Sequence, residues 1–262
     1  MEVAKQSDVF FSVGPRIFNR YDGKFRGKNV VHMQYIPYAD EGFFDLAITP
    51  PGPNHPVRIL TFGRVDGVGH LKGYDIIAEA LSGICKLYSD VNMKCPLWDI
   101  VGVPDNKYEE SKAFIGEYKK SNFLDYKLHP YCTQQDIMDK LQQSHLVIMP
   151  SISEPFGMVG MEAIAAGVPV LMTAHSGLAE FMKTHFGLDG KELVVNVGLD
   201  DTDRERDVEK WRMRIIDMLD QESIHERFKK AKQLKEELKS SPEIKKTHED
   251  FMRMLRGIVD IE

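Results

Sequence analysis

The stretch His145–Ala174, HLVIMPSISEPFGMVGMEAIAAGVPVLMTA, decides the fold. It opens on an apolar run, LVIMP, without polar alternation, the mark of a strand buried on both faces. A Ser-rich turn follows. In it Pro155 suits a first helical turn, and Gly157 permits close approach of the backbone to a ligand. Helical spacing runs on from about Gly157, and Gly167-Val168-Pro169 leads into a second apolar run, VPVLMTA. Strand, helix and strand at this length predict a βαβ unit with parallel strands.

The alternation extends in both directions. Val57–Val65 precedes a helical pattern in which Ile76, Ile77, Ala80, Leu81 and Ile84 share a face. Pro96–Val103 precedes a polar helix through Phe114 and Tyr118, and Asp125–Cys132 leads into a helix over 135–144. VPVLMTA is followed by a helix near Ala179–Met182, and Glu192–Gly198 by one around Val208–Leu219. Six strand–helix repeats predict an α/β fold: a doubly wound, mostly parallel, Rossmann-like sheet with helices on both faces. The ends differ. Residues 1–56 hold one strand-like run (Val9–Val13), a short helix candidate and the link PPGPNHP (Pro50–Pro56), which reads as a domain boundary. Residues 203–262 are charged and helical, broken at Ser240-Ser241-Pro242, and Lys229–Ser240 reads as a solvated amphipathic helix. The expected division is 1–56, 57–220 and a helical extension over 221–262.

The 262 residues carry 34 Lys+Arg against 40 Asp+Glu, a net charge of −6 that argues against general nucleic-acid binding. A content of 42% hydrophobic and 28% charged residues is that of a globular protein. Cys85, Cys95 and Cys132 form no Cys-x-x-Cys, which argues against a disulfide scaffold or a cysteine-rich zinc site and favours a reducing compartment. The start, MEVAKQSDVFFSVG, is a poor signal peptide. The 17 uncharged residues between Glu162 and Glu180 fall short of a spanning helix, for which ~20 apolar residues are needed. The expectation is a cytoplasmic protein without a membrane-spanning segment.

In a doubly wound sheet the turn before Gly157 lies at the carboxyl ends of the strands, where ligands bind. The free amides of Gly157, Met158 and Val159 then favour an anion by ~0.3–1 kcal/mol, rising to ~2 when partly buried. That is too little to hold a nucleotide, so cationic side chains are required. Arg64 and Lys72, at the end of one predicted strand and the start of its helix, are the candidates. Each charge-assisted hydrogen bond contributes ~1.5–3 kcal/mol, enough together to hold a diphosphate. Glu154 and Glu162 lie eight positions apart. On a continuous helix that is a rise of ~12 Å. This exceeds the ~5–9.5 Å of a glycosidase pair, and it suits two carboxylates gripping opposite ends of an elongated ligand.

EPFGMVGMEAIAAGVPV, FGR (Phe62–Arg64), KG (Lys72-Gly73) and HSGLAEF together resemble family 4 of the GT-B-fold retaining glycosyltransferases, in its C-terminal nucleotide-sugar-binding domain. SDVFFSVGPRIFNRY and YIPYADEGFF resemble the segment joining the two domains, so that the likeness runs from about residue 7 to 220. The resemblance implies one half of a GT-B fold, with residues 1–56 a remnant of, or linker from, an N-terminal acceptor domain. It implies a UDP-, GDP- or ADP-type sugar donor, with no cofactor or metal, and an acceptor half supplied by a missing N-terminal domain or partner chain. By the same resemblance Glu154 contacts the donor sugar and Glu162 the ribose. Arg64 and Lys72 neutralise the diphosphate with help from amides at Gly157, Met158 and Val159. Gly102, Tyr131 and Cys132 border the base, while Gly63 and Phe156 complete the donor-binding set. This chain departs from the pattern in the eight-residue spacing of Arg64 and Lys72 and in Pro130-Tyr131, where a Gly is common. The alternative is a non-catalytic sugar-nucleotide sensor or scaffold; an epimerase or phosphorylase on the same fold ranks lower.

Other signals are set aside. Gly67-x-Gly69-x-x-x-Gly73 is no dinucleotide fingerprint, and there is no P-loop, His-Glu-x-x-His or Gly-x-Ser-x-Gly motif. Asp200, Asp201 and Asp203 read as a helix cap rather than a metal site. His175 is read as structural or ligand-touching, and His70 as a minor hydrogen-bond donor to ligand.

Overall fold

The computed structural model describes residues 8–27, 30–52, 55–198 and 203–259. Part of the Pro-rich link, the first residues of the chain, and Asp200 and Asp201 of the expected cap lie outside them. Strand β1 (Val9–Val13), helix α1 (Gly14–Phe25), strand β2 (Val31–Tyr35) and the short helix α2 (Glu41–Phe44) form an N-terminal unit. Next come β3 (Arg58–Phe62), α3 (Tyr74–Asp90), β4 (Leu97–Val101), α4 (Tyr108–Tyr118), β5 (Asp125–His129) and α5 (Gln134–Gln142). Beyond these lie β6 (Leu146–Met149), α6 (Met158–Ala166), β7 (Val170–Thr173), α7 (Gly177–His185), α8 (Gly187–Glu192) and β8 (Val194–Val195). Three helices close the chain: α9 (Arg204–Leu219), α10 (Ile224–Lys239) and α11 (Pro242–Val259).

The six-stranded sheet has the order β5-β4-β3-β6-β7-β8, with every adjacent pair parallel. The chain starts at β3, steps outward through β4 and β5, then returns to lay β6, β7 and β8 on the other side. The two directions part between β3 and β6, and a crevice opens there at the carboxyl ends of the strands. Pro155 lies before α6 rather than in its first turn, because the left-handed Gly157 (φ +110°) caps the helix and delays its start to Met158.

Strand alternation sends side chains to two cores. Leu60, Val101, Val147, Met149 and Met172 face α5, α6, α7 and α10. Ile59, Trp98, Ile100, Leu146, Ile148 and Leu171 face α3 and α9, where Trp211 and Ile215 are wholly buried. Four consecutive buried residues in β6 serve both cores, which is why that run carries no polar alternation.

Cys85 in α3 and Cys95 just before β4 are joined by a disulfide, and Cys132 is free and half-buried. This corrects the expectation drawn from the lack of a Cys-x-x-Cys motif. The tight return from α3 to β4 brings the two Cα atoms to 5.0 Å across ten residues of chain. The cysteine ground for a reducing compartment goes with it. No helix among the described residues is long and apolar enough to cross a membrane.

Residues 8–47 hold more than the single strand read from the sequence. β1 and β2 pair in parallel, Val9 opposite Val31 through Val13 opposite Tyr35. On one face Phe10 and His32 pack with Phe18 and Phe25 of α1. On the other, Phe11 and Tyr35 meet Phe251, and Tyr35 stacks on His248, both from α11. The last helix thus returns to the first strands, while α10 packs on α6. There the buried Lys235 donates to the Leu46 carbonyl at 2.8 Å and the Ala166 carbonyl at 3.4 Å. Burial lowers its pKa, outweighing the nearby Glu236 and Asp45 carboxylates.

Trp211 tests how α9 holds the second core. Its buried indole N–H has no hydrogen-bond partner among the described residues, so Trp211→Phe keeps most of the packing and removes no hydrogen bond seen there. Trp211→Ala is expected to cost about 3–5 kcal/mol. Urea unfolding of the two variants checks this, with a clearly smaller loss expected for Phe.

Candidate functional site

A cavity of about 410 Å³ occupies the crevice between β3 and β6. Its walls are two backbone turns. The first leaves β3 at Phe62 and Gly63 and returns at Lys72; the second runs from Met149 through Ser151 and Glu154 to the start of α6 at Val159.

Glycine makes the first turn possible. Gly63 has φ +132°, which an L side chain rarely adopts. Its N–H donates to the Val101 carbonyl at 2.8 Å, and its carbonyl accepts the Tyr74 hydroxyl at 2.9 Å. At the far end of the turn a Cβ on Gly73 would run into the Pro150 carbonyl. The Ile152 N–H donates to the Leu71 carbonyl at 2.9 Å, which seams the two turns together. Lys72 then reaches across, its Nζ 2.9 Å from Glu154 Oε2.

Glu154 is held by its own backbone. Its N–H donates to the His175 carbonyl at 3.1 Å, and its carbonyl accepts the Gly177 N–H at 3.2 Å. Gly177 leaves no room for a side chain against the Pro155 carbonyl, so the turn after β7 lies flush against the Glu154 segment. His175 belongs to this support: its Nε2 donates to the Val197 carbonyl at 2.9 Å. Beyond Glu154, α6 begins without a side-chain cap. Among the described residues, no protein acceptor takes the amides of Gly157, Met158 or Val159. All three residues line the cavity. A positive helix end, three open donors and an ammonium therefore share one wall, an arrangement that attracts anions.

The structure gathers Gly63, Lys72, Glu154, Phe156, Gly157, Met158 and Val159 around this cavity. Arg64, Gly102, Tyr131, Cys132 and Glu162 are not in its walls. Arg64 is exposed and has no hydrogen-bond or ion-pair partner among the described residues. The chain turns at Gly63 so that the next side chain points to solvent, while Val65 is buried in the second core. Gly102 lies behind the wall: a Cβ there would sit 3.4 Å from the Gly63 nitrogen. Tyr131 is 63% exposed, and the Cys132 thiol, raised in pKa mainly by burial, lies 3.5 Å from the Pro130 carbonyl. Glu162 lies half-buried on α6, and burial pushes its carboxyl up to about 7. Among the described residues no group of three or more His, Cys, Asp or Glu is arranged to hold a metal ion.

One neighbour of the site escaped the sequence reading. Gly14 starts α1 against the Phe156 ring, and Arg16 Nη1 lies 3.4 Å from Glu180 Oε1, with Nη2 3.5 Å from Ser153 Oγ. These contacts join residues 164 and 137 positions apart, so no local pattern announces them.

Residues 1–248 match the family described as Family 4 Glycosyltransferase in conflict systems. The chain belongs to that family. Mannosylfructose-phosphate synthase of Agrobacterium fabrum is 28% identical over 163 residues, 56% of this chain and 34% of that relative. D-inositol 3-phosphate glycosyltransferase 1 of Catenulispora acidiphila is 30% identical over 131 residues, 48% of this chain and 30% of that one. Among solved structures, sucrose-phosphate synthase from Thermosynechococcus elongatus superposes with a TM-score of 0.69 at 17% identity, over 98% of this chain and 60% of that one. The UDP-forming α,α-trehalose-phosphate synthase from Burkholderia xenovorans gives 0.69 at 13% identity, over 97% of this chain and 63% of its own. The fold is that of the GT-B glycosyltransferases. This family 4 chain spans about a third of the length of those two curated relatives.

Glu162 offers a pH test of its surroundings. Its native pKa is raised from the ordinary 4.5 to about 7, so the folded chain keeps a proton that the unfolded chain has lost. The stability contributed is complete below 4.5 and is lost as the pH rises through about 7. Wild type should therefore weaken relative to Glu162→Gln across that window. Urea midpoints measured against pH read the gap; a gap that stays constant contradicts the burial.

Proposed function

We propose that this chain is the donor-binding half of a retaining glycosyltransferase that transfers a hexose-type sugar from a nucleoside diphosphate of UDP, GDP or ADP type. The observation that carries the reading is the convergence of Lys72 and the open amides of Gly157, Met158 and Val159 on the cavity that also holds Glu154. In this reading residues 57–220 form the donor-binding unit, residues 1–56 belong to the acceptor side, and 221–262 are a helical extension. The remaining acceptor half comes from further chain or from a partner.

Lys72 is paired with Glu154. Both side chains are partly solvated, and such a pair contributes at most about 1 kcal/mol. A charge-assisted hydrogen bond to a diphosphate is worth ~1.5–3 kcal/mol, so Lys72 exchanges the carboxylate for the arriving phosphates. Glu154, released, turns to the hydroxyls of the donor sugar. As the glycosidic bond to the diphosphate breaks, negative charge grows on the leaving oxygen, against Lys72 and the α6 amides already in place. Arg64, exposed on the same turn, swings in as the second cation. Glu162 takes the ribose, and Gly102, Tyr131 and Cys132 border the base. Without a bound acceptor the isolated chain transfers poorly, because the two reactants are not held together.

Calorimetric titration with UDP-, GDP- and ADP-sugars tests this, with binding of one class expected and no binding of any at millimolar ligand counting against it. Lys72→Ala should weaken that ligand by ~1.5–3 kcal/mol, roughly 10- to 150-fold. Glu154→Ala frees Lys72 and should leave nucleoside diphosphate affinity intact or tighter while abolishing sugar transfer by the complete protein. Equal affinity of wild type and Lys72→Ala would overturn the site.

A further inference from the structure

The turn that carries Lys72 is long and rich in glycine, with Gly67, Gly69 and Gly73 inside ten residues of chain. Left to itself such a segment gives up much conformational entropy whenever it must present a side chain at one point. Resting on the donor-site reading above, we infer that His70 is a positioning residue for Lys72, acting through Asp75 and Arg204.

The geometry is a chain of contacts among residues that are absent from the cavity wall. His70 Nδ1 lies 3.1 Å from Asp75 Oδ2, so Nδ1 carries the proton and donates to the carboxylate. Asp75 is buried in the first turn of α3. Arg204, at the start of α9, holds the same oxygen with Nε at 3.4 Å and Glu79 with Nη1 at 2.9 Å. The His70 ring stands edge-on to Phe114 and Tyr118, at 5.0 and 5.5 Å between centroids, and the Arg204 guanidinium lies 5.3 Å from the Tyr118 ring. Gly69 passes under Phe114 with no space for a Cβ. The backbone carries the restraint onward: Gly73 N–H donates to the His70 carbonyl at 3.0 Å and Lys72 N–H to the Val68 carbonyl at 2.9 Å. Lys72 thus sits between a ring anchored to α3 and the Leu71–Ile152 bond that ties the turn to the opposite wall. The ring itself reaches the turn's outer side, where it is 61% exposed, and is absent from the cavity wall.

The test compares affinity for the nucleoside diphosphate that wild type binds with affinity for the matching nucleoside, by calorimetry, in His70→Ala, His70→Asn, Lys72→Ala and the His70→Ala/Lys72→Ala double variant. Loss of one such hydrogen bond predicts that His70→Ala weakens the diphosphate about 2- to 10-fold and leaves the nucleoside unchanged. His70→Asn, which keeps a donor near the Nδ1 position, should recover most of the loss. In the Lys72→Ala background His70→Ala should add nothing, because the effect passes through the ammonium. Unchanged diphosphate affinity in His70→Ala overturns the inference, as does an equal loss for the nucleoside or a fully additive double variant. If wild type binds no nucleoside diphosphate at all, the donor-site reading itself has failed and this inference falls with it.

Discussion

The close approach of two backbone turns, at the point where the sheet changes direction, is the constraint on which the site depends. Gly73 lies against the Pro150 carbonyl, and Ile152 hydrogen-bonds to Leu71. The first contact tolerates no side chain at Gly73, since a Cβ there would clash with the Pro150 carbonyl oxygen. Because the turns are locked, a lysine from one and a glutamate from the other meet at 2.9 Å. The same lock aligns the open end of α6 with the cavity. The electrostatics follow from the packing, and a net charge of −6 does not prevent a local wall of donors.

Support for that seam comes from distant parts of the chain. Behind Glu154 stands the turn after β7, fastened through His175 to Val197. Behind the Lys72 turn stands α3, held by α9 through the Arg204–Asp75 and Arg204–Glu79 pairs and through the buried Trp211. The N-terminal unit is built differently. A two-stranded sheet is marginal by itself, and this one is covered on one face by α1 and on the other by α11. The last helix therefore supplies one of the two covers that the N-terminal strands need.

Most of the architecture was legible because it is written in local periodicity. The both-face burial of β6 appears as the unbroken LVIM run, and the helices show their apolar spacing in α3 and α9. Strand β2 was missed because VHMQY alternates weakly and is only half-buried. The disulfide was missed because a ten-residue separation has meaning only once α3 folds back onto β4. At the site, Lys72, Glu154 and the Gly157 turn were readable from residue type and spacing. Arg64 shares the right turn, yet its direction is set by the φ of Gly63, which sequence does not state.

The order of secondary elements and the glycine-led start of α6 were legible in the sequence alone, because each arises from interactions among residues near one another in the chain, and the helix between successive strands implied their parallel direction. Tertiary structure decided which side chains share the cavity, the raised carboxyl of Glu162, and the clasp of His70, Asp75 and Arg204 that spans 134 positions of chain. These depend on burial and on contacts between distant segments, and such quantities exist only after the sheet has closed its two cores.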